Sequence, residues 1–530
     1  MLARMRSVKV KEKRWLMGWA GVGAVIGQCL VQPVMGAGFL DVYHLAQERD
    51  PVYAAARETL NAQQTLIAQS KAALLPNLNA QAGYNYQDIH NDFKGDAKKA
   101  NQNKANPLRN WKQNDYGSAN YSVQVQQALF DAEALPLYRE AKRAFKQARI
   151  QYDYAKQDLM TRVTESYLNV LIAEEQLQTS VAERRALEEQ QAQAQKEFEV
   201  GTAAITDAQD AQARRDLAVA QELQYRNSLA VSKRVLSRII GQEVPPLLGL
   251  GEKLQLAPPD PANIQDWVGR ALQGNLAVLA QREGLQVAQL ELRARQGARL
   301  PTLNLVAGRQ WFEDRSPTID ASWYDTTVNS AGLQLQIPIF QGGYLIARAR
   351  EAAARLNESK ENLLDASRGA ELAASQAYLN LVTTIAQVQA FEQALRSSEI
   401  SLESNRVGRE VGTRTQVDVL DALRQVYAAR RDLYRSRYTY LQDQVTLKAA
   451  VGELKDADLE TLSTQLIVAP EQRGVIEGSE EHIRYPKGIN ASSTTVEVPR
   501  PDETLHPSPL SPGAVRGRTA VPPMGGGVSP

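Results

Sequence analysis

Leu78, Ala80, Ala82, Tyr84 and Tyr86 form an apolar row at every second position of the stretch NLNAQAGYNYQ, and Asn77, Asn79, Gln81, Asn85 and Gln87 form a polar one. Alternation of period two predicts a strand with one apolar and one polar face. The pattern returns at Tyr121, Val123 and Val125 against Ser122, Gln124 and Gln126, and at Leu333, Leu335 and Ile337 against Gln334 and Gln336. With a further strand after Pro301, four are expected, at about 76–87, 117–129, 301–312 and 329–340. Their polar rows hold Asn, Gln and Ser rather than charges, which suits a water-filled lumen. Strands of about nine to eleven residues also fit a tilted membrane span. A small soluble sheet packed on helices has the same alternation and stays open as an alternative.

Between and after the strands the period changes. Leu137–Ile240 holds no proline and one glycine, Gly201; Tyr344–Val451 holds no proline, and its glycines are Gly369, Gly408 and Gly412. Ala, Gln, Glu, Arg and Leu dominate, all good helix formers. Each stretch predicts a helical hairpin, at about 132–240 and 343–451, turning near Gly201 or near Gly408–Gly412. Arms of roughly 60 residues would be roughly 90–100 Å long and need neighbours along their whole length. The apolar stripe is narrow and rich in alanine, as a curved wall wetted on both sides requires. A solid coiled coil with solvated outer faces is the other reading.

The chain repeats itself. LLPNLNAQAGYNY (Leu74–Tyr86) matches RLPTLNLVAGRQW (Arg299–Trp311) at an offset of 225, and ESYLNVL (Glu165–Leu171) matches QAYLNLV (Gln376–Val382) at 211. VGTAAITDAQDA (Val200–Ala211) matches VGTRTQVDVLDA (Val411–Ala422), again at 211. Two halves of one plan follow each other, 38–242 and 264–455, joined by a proline-rich connector at 243–263. The first half carries extra residues in the polar, basic loop NDFKGDAKKANQNKANPLRNWKQND. A shorter segment, 456–475, closes the ordered part. Beyond it, 476–530 is rich in Pro, Gly and Ser and reads as a disordered tail.

Four amphipathic strands cannot close a membrane barrel, which needs about eight. An open edge cannot survive in lipid, because its N–H and C=O groups have no partner there. If the strands span a membrane, several chains must share one barrel.

The N-terminus fits such a destination. Six cations between Arg4 and Arg14 precede the apolar run Leu16–Leu30 and the small residues Gly36-Ala37-Gly38, a secretory signal with cleavage expected near Ala37. The lone Cys29 lies inside the apolar run behind Gln28, so no lipoprotein signal is read there. Removal of 1–37 leaves a mildly acidic chain without a thiol, and hence without disulfides or a cysteine site. The four histidines, His44, His90, His482 and His506, are scattered, so no catalytic or metal site is expected and no cofactor is implied. No long basic stretch suggests nucleic acid.

Two tandem halves, each helix, strand, strand and long hairpin, resemble the TolC-type outer-membrane efflux proteins over about 40–455. VGTRTQVDVLDA, with VGTAAITDAQDA, is the most specific part. The resemblance implies a mostly α fold with a small membrane β part. Four strands per chain would contribute to a shared trimeric 12-stranded β-barrel in the cell outer membrane, and the hairpins would form a periplasmic α-barrel tunnel. It implies a homotrimer docked on a periplasmic adaptor and an inner-membrane ABC or proton-driven transporter, exporting proteins (type I secretion) or small toxic molecules. No G-x-x-x-x-G-K-[ST] phosphate loop occurs in the chain, so energy would come from the transporter. The apolar strand row would face outer-membrane lipid.

Asp418 and Asp421, three apart past the second turn, share a helix face. Acidity at a helix start explains such residues as well. In the resembled family these positions form an acidic ring at the periplasmic entrance, six carboxylates in a trimer. The matching arginine there, Arg414, links to an aspartate of the neighbouring hairpin, here Asp207, as a gate latch; beside Thr206, Asp207 also reads as a simple cap. Two residues depart from the pattern: Arg409 stands where the best-known relatives carry a tyrosine, and Asp210 adds a carboxylate where a neutral residue is usual. A stand-alone porin is the alternative function, and a periplasmic adaptor the third; long hairpins argue against the first and lipid-facing strands against the second.

Overall fold

A computed structural model describes residues 37–90, 113–251, 254–315 and 323–468. The expected signal segment (Ala37 apart), most of the basic loop and the tail at 476–530 lie outside these residues. The chain opens with α1 (Phe39–Arg49) and α2 (Pro51–Ala72). Asp50 separates them: its carboxylate accepts the Tyr53 N–H at 3.1 Å and caps α2, whose first residue is Pro51. Asp50 is buried and its charge is met by Arg162 Nη2 at 2.8 Å.

Two strands follow, β1 (Asn77–His90) and β2 (Gln113–Phe130), then the hairpin of α3 (Ala134–Glu199) and α4 (Ile205–Ile240). A short strand, β3 (Gly249–Leu250), lies in the connector. The second half repeats the order with α5 (Ile264–Gly274), α6 (Leu276–Gly297), β4 (Thr302–Arg315), β5 (Trp323–Gln336), α7 (Tyr344–Glu410) and α8 (Gln416–Ala450). The last elements are α9 (Asp456–Ser463) and β6 (Leu466–Val468), which pairs with β3. The long arms α3 and α7 have 66 and 67 residues, about 100 Å each at the helical rise. Among the described residues, no helix is long and apolar enough to cross a membrane.

The main sheet is antiparallel in the order β1-β2-β4-β5, so β1 and β5 are its two edges within one chain. Cross-strand register aligns the apolar rows: Leu78 faces Val125, and Val125 faces Ala307. Leu305 faces Leu333 and Leu303 faces Leu335 on the same side. The hydrogen-bonded row through Tyr84 passes Ala119 and meets β4 at Glu313, whereas the repeat mate of Tyr84 is Arg309. Equivalent levels thus slip by four residues over two strands, the stagger that tilted barrel strands show.

The fourth strand differs from the expected 329–340. It starts at Trp323 and ends at Gln336, because Pro338 has no N–H to continue the ladder. Ile339 and Phe340 are left 92% and 85% exposed before α7, an apolar surface with no cover inside one chain.

The principal core lies where the middle of α3 meets α1, the end of α4, the connector and the second half of α8. Tyr167 of α3 is its anchor: its ring meets Phe39 edge-on at 5.3 Å, and its hydroxyl donates to the Leu248 carbonyl at 2.6 Å. Tyr440 of α8 reaches the connector as well, accepting the Ala257 N–H at 2.7 Å. A second, smaller cluster near the turns is built from Ala194, Ala211, Leu402, Leu420 and Leu423. Its alanines let the arms approach closely through thin apolar seams, leaving the other faces polar.

Candidate functional site

Both hairpins turn on the same backbone. Val200 and Val411 end the long arms; Gly201 and Gly412 follow with φ of 79° and 78°, a left-handed geometry that favours glycine. The second long arm runs through Gly408 and ends at Glu410, so the turn is at Gly412 alone. Gly408 has another reason to be small: a methyl there would come within 2.7 Å of Arg414 Cγ, so the arginine stem lies across it.

The two turns differ in chemistry. Thr415 caps α8, its hydroxyl accepting the Asp418 N–H at 3.2 Å, while the Asp418 carboxylate accepts the Thr415 N–H and hydroxyl at 2.8 Å each. That reciprocal box satisfies the free donors of a helix start. Its repeat mate, Ala204, has no side-chain oxygen, and α4 starts without a side-chain cap. Asp207 sits in the first turn of α4 but makes no such box. Asp418 is half-buried, and the Thr415 N–H, the Thr415 hydroxyl and the nearby Arg414 charge hold its carboxyl below the usual range.

Asp421 enters an ion bridge between the hairpins. Arg214 of α4 donates from Nη1 to Asp421 at 2.6 Å and from Nε to Asp210 at 3.2 Å. Partial burial works against the Arg214 charge, but the two carboxylates outweigh it and raise its pKa. Arg409 is fastened similarly: it donates to Glu197 near the end of α3 at 2.5 Å. Gln416 adds a neutral tie to Gln190 at 3.0 Å. Among the described residues, neither Arg414 nor Asp207 forms an ion pair inside the chain, and the two are not bonded to each other. The structure therefore brings Asp210 and Asp421 together through Arg214, places Asp418 beside its cap, and leaves Arg414 and Asp207 open to other partners.

Arg214 and Glu197 were not legible beforehand. Asp210 and Arg214 stand at helical i,i+4 spacing, a signal of pairing, but the partners across the hairpins are separated by 207 and 212 residues in sequence. Chemically the tip is a set of carboxylates held by arginines. Among the described residues, no group of three or more His, Cys, Asp or Glu side chains could hold a metal ion.

A family model described as outer membrane efflux protein matches residues 42–242 and 267–453. The alkaline protease secretion protein AprF of Pseudomonas aeruginosa is 31% identical over 463 residues, spanning 86% of this chain and 92% of that protein. The outer membrane protein TolC of Vibrio cholerae is 30% identical over 449 residues, spanning 84% and 98%. Among solved structures, the outer membrane protein VceC of Vibrio cholerae aligns with a TM-score of 0.65 at 17% identity, over 78% of this chain and 96% of that one. The CmeC outer membrane channel of Campylobacter jejuni also gives 0.65, at 14% identity, over 87% and 98%. At such identity the solved structures speak for the fold alone.

Proposed function

The chain belongs to the outer membrane efflux protein family, and we propose that it works as a passive trimeric exit duct gated at its periplasmic helical tip. It is an outer-membrane channel protein with a periplasmic tunnel. The single observation that carries the shared barrel is the pair of free edges, β1 and β5, which border a four-stranded sheet whose one face is apolar; the number three follows the family resemblance. In lipid those edges need partners, and three copies joined edge to edge give twelve strands. The exposed Ile339 and Phe340 then meet a neighbouring chain.

The duct docks with a periplasmic adaptor and an inner-membrane transporter, which supplies the energy. Two of its relatives are named for protease secretion, AprF and the proteases secretion protein PrtF of Dickeya chrysanthemi. On that likeness the proposed cargo is protein, delivered by type I secretion. Efflux of small toxic molecules is the second reading, favoured by the family description and by a match to the outer membrane efflux protein BepC of Brucella suis.

At the tip, Asp418 and Asp421 of three chains form the acidic ring. Arg414 and Asp207, unpaired within one chain, latch neighbouring hairpins; Arg214 and Arg409 fasten the two hairpins of the same chain. Surface pairs of this kind are worth about 0–1 kcal/mol each, so the closure is openable. The test is single-channel recording of the purified protein in planar bilayers. Small, cation-selective openings blocked by multivalent cations from the periplasmic side are expected. Large openings indifferent to such cations would favour the porin alternative.

The capped state of Asp418 adds a pH signature. Its carboxyl is held below the usual range, so its charge persists as the medium is acidified through the ordinary aspartate value of about 3.9. The stabilisation from this cap is complete above that value and is lost as pH falls through the lower folded one. Reversal potentials in a salt gradient should therefore stay cation-selective down to about pH 4 and decline only below it.

A further inference from the structure

Arg309 interrupts an otherwise apolar row. On β4 that row runs Leu303, Leu305, Ala307, Arg309, Trp311, and the cross-strand partners of Arg309 are Val123 and Asn329. A charge on the lipid face is tolerated near an interface and resisted at the bilayer centre. The repeat fixes its level. Arg309 and Trp311 are the mates of Tyr84 and Tyr86, which are 73% and 66% exposed on the same face. Exposed tyrosines in that position mark an aromatic girdle, where ring and headgroup meet. The guanidinium lies over Trp311, 4.9 Å from the ring centroid, a cation–π contact that orients it. Among the described residues it makes no ion pair. Glu313 and its register partner Asp325 stand four residues farther along the strand, roughly 13 Å away.

All long helices leave the sheet at one end, the end from which β4 starts. Arg309 is the eighth of the fourteen residues of β4 and Trp311 the tenth, so the pair begins the half of the strand farther from the helices, the half that faces away from the periplasm. The lipid it meets is therefore one of the outer leaflet. We propose that Arg309, steadied by Trp311, binds a phosphate of a phosphorylated glucosamine lipid at the outer rim of the barrel. The planar guanidinium suits bidentate capture of phosphate oxygens, and the indole beside it covers the acyl–headgroup boundary. This inference rests on the reading that the apolar row faces lipid.

Two measurements on the full-length protein separate the two claims. The first is quenching of tryptophan fluorescence by brominated lipid in vesicles, wild type against Trp311→Phe. Loss of a quenched component in the variant places Trp311 in lipid; equal quenching overturns both the lipid-facing reading and the proposal. The second is native mass spectrometry of the detergent-solubilised protein with added bisphosphorylated lipid A, its dephosphorylated form or phosphatidylglycerol. The wild type should hold lipid A in preference to the other two. Arg309→Gln should bind it roughly tenfold more weakly, the effect of losing one charge-assisted contact. Arg309→Lys should retain part of the binding, and Trp311→Leu, which keeps the charge, should fall between. Equal retention by wild type and Arg309→Gln, no need for the phosphate, or a preference for phosphatidylglycerol would overturn the proposal while leaving the lipid-facing reading intact.

Discussion

In planar bilayers the Asp418→Asn/Asp421→Asn channel is expected to lose most of its cation preference and to resist multivalent block. In the proposed trimer six negative charges disappear from one constriction. A trivalent cation about 6 Å from a carboxylate gains roughly 2 kcal/mol in water. Loss of even two such contacts weakens block at least about a hundredfold. Asparagine keeps the size of each side chain and can still accept from the Thr415 N–H, so the cap is disturbed little. The single variants should differ. Asp418→Asn removes a charge without touching the bond between hairpins. Asp421→Asn also takes the 2.6 Å partner from Arg214 and should raise the open probability as well as lower selectivity. Selectivity and block unchanged in the double variant would place the constriction elsewhere and leave a duct without this gate.

Tyr167→Ala should be the most damaging single truncation far from the tip. The ring is fully buried where α1, α3 and the connector meet. Removing a buried aromatic side chain from such a site costs about 3–5 kcal/mol. The hydroxyl contributes separately through its bond to the Leu248 carbonyl, so Tyr167→Phe should cost only about 1 kcal/mol. Unfolding followed by circular dichroism in detergent, against denaturant or temperature, checks both. Similar midpoints for wild type and Tyr167→Ala would mean that the central core is not the part that limits stability.

The architecture was legible because each of its signals is local and doubled. The alternation at Leu78–Tyr86 names a strand, the alanine-rich run after Leu137 names a long helix, and the repeat states each twice. Strand ends were less legible. The apolar pattern continues through Ile337 and Ile339, but a ladder depends on N–H groups, and Pro338 removes one. At the tip, sequence could nominate Asp418, Asp421, Asp210 and Arg409 by position. It could not say that Arg214 would join two of them or that Glu197 would hold the fourth. Those choices depend on which faces of α3, α4, α7 and α8 meet, a matter of packing between segments some 200 residues apart.

The unequal capping of the two turns has a consequence for how a duplicated chain divides its labour. Gly201 and Gly412 give both halves one backbone, so a ring of three chains would present six nearly equivalent columns to its surroundings. Only three of those columns would end in the Thr415–Asp418 box; the other three begin at Ala204, where no side chain ties down the helix start. In such a ring, duplication would keep the wall sixfold in shape while making its rim threefold in chemistry. One set of helix starts would be closed by its own side chains, and the other would keep its backbone N–H groups uncapped.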